Sequence, residues 1–156
     1  MKPSQILIRA RRILAGHLTF NELYDERNGT YCAIGALSAA TQKSGEAFYI
    51  DEIPDNQIPE GYLQAMKHLA GYLETPSRAV AFDSHKDRVR AAHLTNQSRI
   101  IDWFDDLDEK DIDEAERIVL KRFDGAIARA QRRERKIEEK NTKLTPQPKR
   151  DKIPVA

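Results

Sequence analysis

The chain has 156 residues, 40% of them hydrophobic, with 26 Lys/Arg against 25 Asp/Glu and a single cysteine. That length sets one domain with room for a real core, and one cysteine excludes an internal disulfide. No apolar run approaches the roughly 18 residues of a membrane span and no signal-peptide core is visible, so the expectation is a cytoplasmic protein, or one carried from the cytoplasm in a virion, with no membrane partner.

The near-neutral total hides an uneven distribution. From Arg129 onward ten Lys/Arg face four acids, which gives +6 and leaves −5 for residues 1–128. An acidic body with a basic C-terminal arm suits an interaction tail. It equally suits a solvated helix end followed by disorder, which is the commoner outcome.

In chain order, residues 4–15 read as a first helix. Ser4 stands as N-cap after Pro3, Ile6, Ala10, Ile13 and Leu14 fall on one face, and Gly16 supplies a stop. Arg9, Arg11 and Arg12 point elsewhere and read as a solvated face. His17 to Thr30 reads as a connector ending in the polar turn Asp25–Gly29. The stretch Tyr31 to Ala40 then runs ten residues without a charge in a chain one-third charged. It predicts a central helix starting near Thr30 or Tyr31 and ending by Gly45. Gly35 costs such a helix about 1 kcal/mol relative to Ala, so it marks close backbone approach by a neighbour, in keeping with Ala33, Ala36, Ala39 and Ala40 around it.

Residues 46–59 read as irregular, with a short strand at 47–50. A third helix follows Pro59, with Tyr62, Met66, Leu69 and Leu73 as its apolar stripe, and ends at Thr75-Pro76. Residues 77–96 suggest one or two short helices. Residues 98–104 gather Ile100, Ile101, Trp103 and Phe104, closed by an acidic run. The last helix opens near Asp111 or Asp113, with acids where the helix dipole favours them. Its face runs through Ile112, Ala115, Val119, Phe123, Ala126, Ile127 and Ala130. Charge pattern carries a solvated helix on to about Glu139, and Asn141 to Ala156 reads as an extended arm.

Cys-Ala-Ile-Gly-Ala-Leu from Cys32 with its trailing alanines, Trp103-Phe104-Asp105-Asp106, and Phe123-Asp124-Gly125-Ala126-Ile127 together resemble a family of small uncharacterised proteins from bacteria and their phages. The similarity covers residues 4–130, and only the cysteine segment is specific. The chain departs from the family at Asp105, where Asn is usual. The resemblance implies a helical domain and no activity.

Chemistry has one candidate nucleophile. Cys32, in the first turn of a helix, would gain thiolate character from unpaired N–H groups, with His93 or His68 as base and Asp105 or Asp106 orienting it. An alanine-rich surround argues instead for an inert buried thiol, and none of the four histidines sits in a motif. Asp105 and Asp106 also invite a cation site, but Asp106 or Asp108 capping the turn into the last helix is the preferred reading. No phosphate loop, dinucleotide fingerprint or zinc motif is present, so neither a cofactor nor a metal is expected. Arg132, Arg133, Arg135 and Lys136, continuing to Lys149 and Arg150, offer phosphate or partner contacts. Glu134, Glu138 and Glu139 interleave and dilute that patch.

The sequence therefore predicts an all-α, single-domain bundle of four to six helices over residues 1–130, with a charged extension and basic arm over 131–156. Its expected role is that of a non-enzymatic accessory protein, phage- or prophage-encoded by resemblance. It binds a macromolecule, protein in preference to nucleic acid, through that arm. A cysteine hydrolase or transferase using Cys32, and a nucleic-acid binder using the tail, are the alternatives.

Overall fold

A computed structural model describes residues 1–41, 57–71 and 85–144, including side chains for all of these except 85–89. Among them are five α-helices and one short hairpin: α1 (Pro3–Leu14), β1 (Tyr24–Asp25), β2 (Thr30–Tyr31), α2 (Ala33–Thr41), α3 (Glu60–Ala70), α4 (His85–Asp106) and α5 (Ile112–Leu144). The expected all-α architecture is what is observed. The strand expected at 47–50, the ends of the second and third helices at Gly45 and Thr75-Pro76, and Leu73, Lys149 and Arg150 lie outside the described residues.

Helix α2 sits at the centre. Ala33, Ile34, Ala36, Leu37 and Ala40 are all fully buried. Around them close α1, α3 and α4, which bring Ile6, Leu7 and Leu14, Tyr62, Met66 and Leu69, and Ile100 and Phe104 to the same core, while Val119 and Phe123 of α5 join it from across α1 and α3. Each large side chain withdrawn from water here contributes about 1.5–3 kcal/mol. The apolar stripe of α5 holds at Ala115, Val119, Phe123, Ala126 and Ala130, while Ile112 is exposed and Ile127 half-buried.

The close approach expected at Gly35 comes from a loop, not another helix. A Cβ at this position would run into the backbone carbonyl of Leu23. That same carbonyl accepts the Cys32 N–H at 3.1 Å.

Several local expectations are corrected. The central helix starts at Ala33, because Thr30–Tyr31 pairs antiparallel with Tyr24–Asp25. The two tyrosine rings lie 4.6 Å apart on this hairpin, and Asp25 closes its turn by accepting the Arg27 N–H and an Asn28 side-chain N–H. Gly29 takes φ +61 there, a conformation that costs glycine little. The cluster at 98–104 belongs to the single 22-residue helix α4, which begins at His85. Of its two aromatic residues, Trp103 is only half-buried, whereas Phe104 is buried and packs 5.0 Å from Phe20. A 3₁₀ turn, Leu107–Glu109, links α4 to α5. Asp111, not Asp106 or Asp108, caps α5: its carboxylate accepts the Asp113 N–H at 3.2 Å and its carbonyl the Ala115 N–H.

At the other end of the chain, Lys2 rather than Ser4 occupies the N-cap position of α1, with Pro3 in the first turn. Ser4 is buried and has a distant partner. Its N–H and its hydroxyl both donate to the Glu134 carboxylate, at 3.0 and 2.7 Å. A carboxylate from α5 thus satisfies one of the unpaired N–H groups that open α1, where the helix dipole also favours it. Finally, α5 continues through Ala130 without a break and stays helical to Leu144, past the expected end near Glu139.

Candidate functional site

Two places concentrate chemistry: the cavity beside Cys32 and the two flanks of α5.

Cys32 precedes the first residue of α2 and acts as its cap. The carbonyl of Cys32 accepts the Ala36 N–H, and its Sγ accepts the Gly35 N–H at 3.4 Å. Only 8% of the residue is exposed. Burial pushes the thiol pKa up, outweighing the backbone N–H groups of Gly35 and Ile34 that pull it down, and the nearby Asp105 charge pushes it further up. The dipole argument for a thiolate therefore loses to desolvation.

Cys32 lines a cavity of about 120 Å³ with Leu23, Ile34, Ile100, Phe104 and Asp105. No histidine is among its lining residues. His93 stands twelve residues before Asp105 on α4, about 18 Å along the axis, so Cys32 and Asp105 are brought together without the imidazole. His68 belongs to a different neighbourhood: burial and the adjacent Arg129 lower its pKa. Asp105 itself has its pKa raised, first by burial and then by Asp102, Asp106 and Asp108, against the pull of the Asn21 N–H. Asn21 takes φ 65 at this point. A carboxylate that disfavours its own charge, beside a thiol that disfavours its own, is not an arrangement for activating a nucleophile. Among the described residues, no group of three His, Cys, Asp or Glu gathers to hold a metal ion.

The flanks of α5 differ in sign. Four of its acids turn to α1 and the residues flanking it: Glu116 accepts the Gly16 N–H, Asp124 takes Arg11 at 2.7 Å, Glu134 takes Ser4, and Glu138 takes Lys2 at 3.1 Å. At about 100° per residue these four acids fall within an arc of roughly 80°. The opposite side carries cations. Near the body, Arg122 and Arg129 donate to the carbonyls of Leu69 and His68 at the end of α3, at 3.1 and 2.6 Å. Arg117 and Lys121 are exposed beside them, and further along come Arg132, Arg133, Arg135, Lys136, Lys140 and Lys143. These eight exposed cations make no ion pair among the described residues and fall within an arc of roughly 160°.

Of the residues singled out in the basic arm, Arg132, Arg133, Arg135 and Lys136 are thus placed together on one side of one helix. Arg117 and Lys121 were missed by the sequence reading, which placed residues up to 130 in the helical domain and counted the basic arm only from Arg129 on. The signal was there: both precede the charged extension by whole turns along the same face. Glu134 and Glu138, read as diluting the patch, are turned away from it.

No curated protein and no solved structure matches the chain. A family model described as a family of unknown function, DUF6197, matches residues 1–129, which is the packed body up to the charged extension. The resemblance to an uncharacterised family holds at that level, and the chain belongs to the DUF6197 family.

Proposed function

We propose that this protein is a non-enzymatic accessory protein of a bacterium or its phage, acting in the cytoplasm or in a virion. It binds the anionic surface of a macromolecular partner through the C-terminal part of α5. One observation carries the reading: past Ala130 the helix buries no residue, yet it continues to Leu144 with Glu134 and Glu138 fastened to Ser4 and Lys2 and its cations exposed. A segment that contributes nothing to the core but is held in place is available for contact. The raised thiol pKa of Cys32 and the distance of His93 weigh against the thiol-enzyme alternative.

The test is capture of a partner by the intact chain and by a chain truncated after Ala130, both checked for helicity. Loss of capture with the fold retained supports the reading, and equal capture by the truncated chain defeats it. Alkylation of Cys32 in the native protein at pH 8 separates the enzyme: a nucleophile reacts within minutes, a desolvated cap only as fast as the fold opens.

A further inference from the structure

Resting on that reading, we infer that the cationic flank of α5 binds the phosphate backbone of double-stranded nucleic acid. The flank runs from Arg117 to Lys143, which at 1.5 Å per residue is about 39 Å, slightly more than one turn of a B-form duplex. Along it only Glu139 interrupts the sign among exposed residues, since Glu114 is taken by Lys110 at 3.9 Å.

The choice between nucleic acid and protein follows from what else the flank offers. A stable protein interface is built on a buried apolar centre with a few aromatic or aliphatic anchors. Phosphate recognition needs none, because release of condensed counterions supplies the free energy. The exposed apolar residues of this segment, Ile137 and Leu144, are 46% and 70% exposed. By the same 100° step they lie on the core-facing side of the helix rather than among the cations. Half of the eight cations are arginines, whose planar fork matches phosphate oxygens two at a time. Holding eight like charges on one flank costs repulsion that a polyanion would relieve.

The helical step alone separates the signs: Glu116, Asp124, Glu134 and Glu138 interleave with the cations along the chain but fall on another side of the helix. Packing against α1 then gives these four acids partners and leaves the positive strip exposed.

The experiment uses the full chain with a labelled duplex of about 20 base pairs, as DNA in one arm and RNA in the other, at 50 and 200 mM salt. With six phosphates engaged, affinity falls about 1,000-fold between the two salts. The stronger arm identifies which duplex is bound. The variant Arg132→Gln/Arg133→Gln/Lys136→Gln/Lys140→Gln flattens the salt dependence and weakens binding at 50 mM more than 100-fold. A control losing the same charge elsewhere, Arg9→Gln/Arg12→Gln/Arg27→Gln/Lys67→Gln, binds within a few-fold of the original. Equal loss in the control, or salt-independent binding, overturns the inference. Polyglutamate is the third probe. If the chain binds polyglutamate through the same flank and neither duplex, the inference falls and the proposed function stands; if it binds none of the three, both fall.

Discussion

Helix α2 and the far half of α5 are helical for opposite reasons. The nine residues of α2 carry no charge, and all but Ala39 and Thr41 are buried. The fourteen residues from Gln131 to Leu144 bury nothing, and nine of them are charged. In α2 the side chains are small because neighbours press in from every side, so tertiary packing holds a segment whose Gly35 opposes helix formation. In α5 the chain is a good helix former that leaves the body, and its ties are polar: Glu134 to Ser4 and Glu138 to Lys2. Packing tolerates few changes and polar ties tolerate many, which can be tested in order of size.

Gly35→Ala is the harshest single methyl. Helix propensity alone would favour it by about 1 kcal/mol, but the Cβ meets the Leu23 carbonyl, so a net loss of about 3 kcal/mol is expected from overpacking against backbone. Chemical denaturation measures it, and a neutral or stabilising result would break the contrast at its root.

Tyr62 extends the test to pH. Buried beside Ser38, its hydroxyl has its pKa pushed up to about 12, from an ordinary 10, chiefly by burial. The unfolded chain releases this proton first. The contribution is fully present below pH 10, declines as pH rises and levels off above about 12, a loss of about 2–3 kcal/mol. Tyr62→Phe should remove that part of the alkaline decline, read from melts between pH 9 and 12.

Glu134→Ala tests the polar tie. It leaves the buried Ser4 hydroxyl and an opening N–H of α1 without their carboxylate, at about 1–2 kcal/mol. Smaller still, Arg132→Gln and Arg133→Gln should each change stability by less than about 0.5 kcal/mol, because neither side chain packs or pairs in the body. Asp105→Asn has the opposite sign. The carboxylate is held above its ordinary pKa by burial and by Asp102, Asp106 and Asp108. Its contribution is therefore present at low pH and lost as pH rises through the raised pKa. An amide removes that loss and keeps an oxygen for the Asn21 N–H, so Tm at pH 7 should rise slightly and its pH dependence between 3 and 6 should flatten.

Helices α1, α3 and α5 were legible because their apolar residues repeat at helical spacing and Pro3, Pro59 and Asp111 mark their starts. Helix α2 was legible for the inverse reason, a conspicuous lack of large or charged side chains. The hairpin was not: two residues per strand give no alternation to read, and its register rests on Tyr24 meeting Tyr31 across space. Helix α4 was seen only in part, since its large apolar residues cluster at its C-terminal end, at Ile100, Ile101, Trp103 and Phe104, and the sparser pattern before them suggested separate short helices. For the cationic flank the linear order misleads, because glutamates alternate with arginines along the chain. The 100° step of the helix sorts them onto separate sides, and α1 packs on the acidic one.

One consequence concerns the loop that precedes α2. Three of its backbone hydrogen bonds interlock: Thr19 donates to Tyr31, Tyr31 to His17, and Cys32 to Leu23. Because the Leu23 peptide is wedged over a glycine with no spare volume, lifting the loop means prying open the head of α2 as well. The amides of Thr19, Tyr31 and Cys32 should then trade deuterium at one common rate, together with the first turn of that helix, as a single cooperative block rather than as ordinary surface turns.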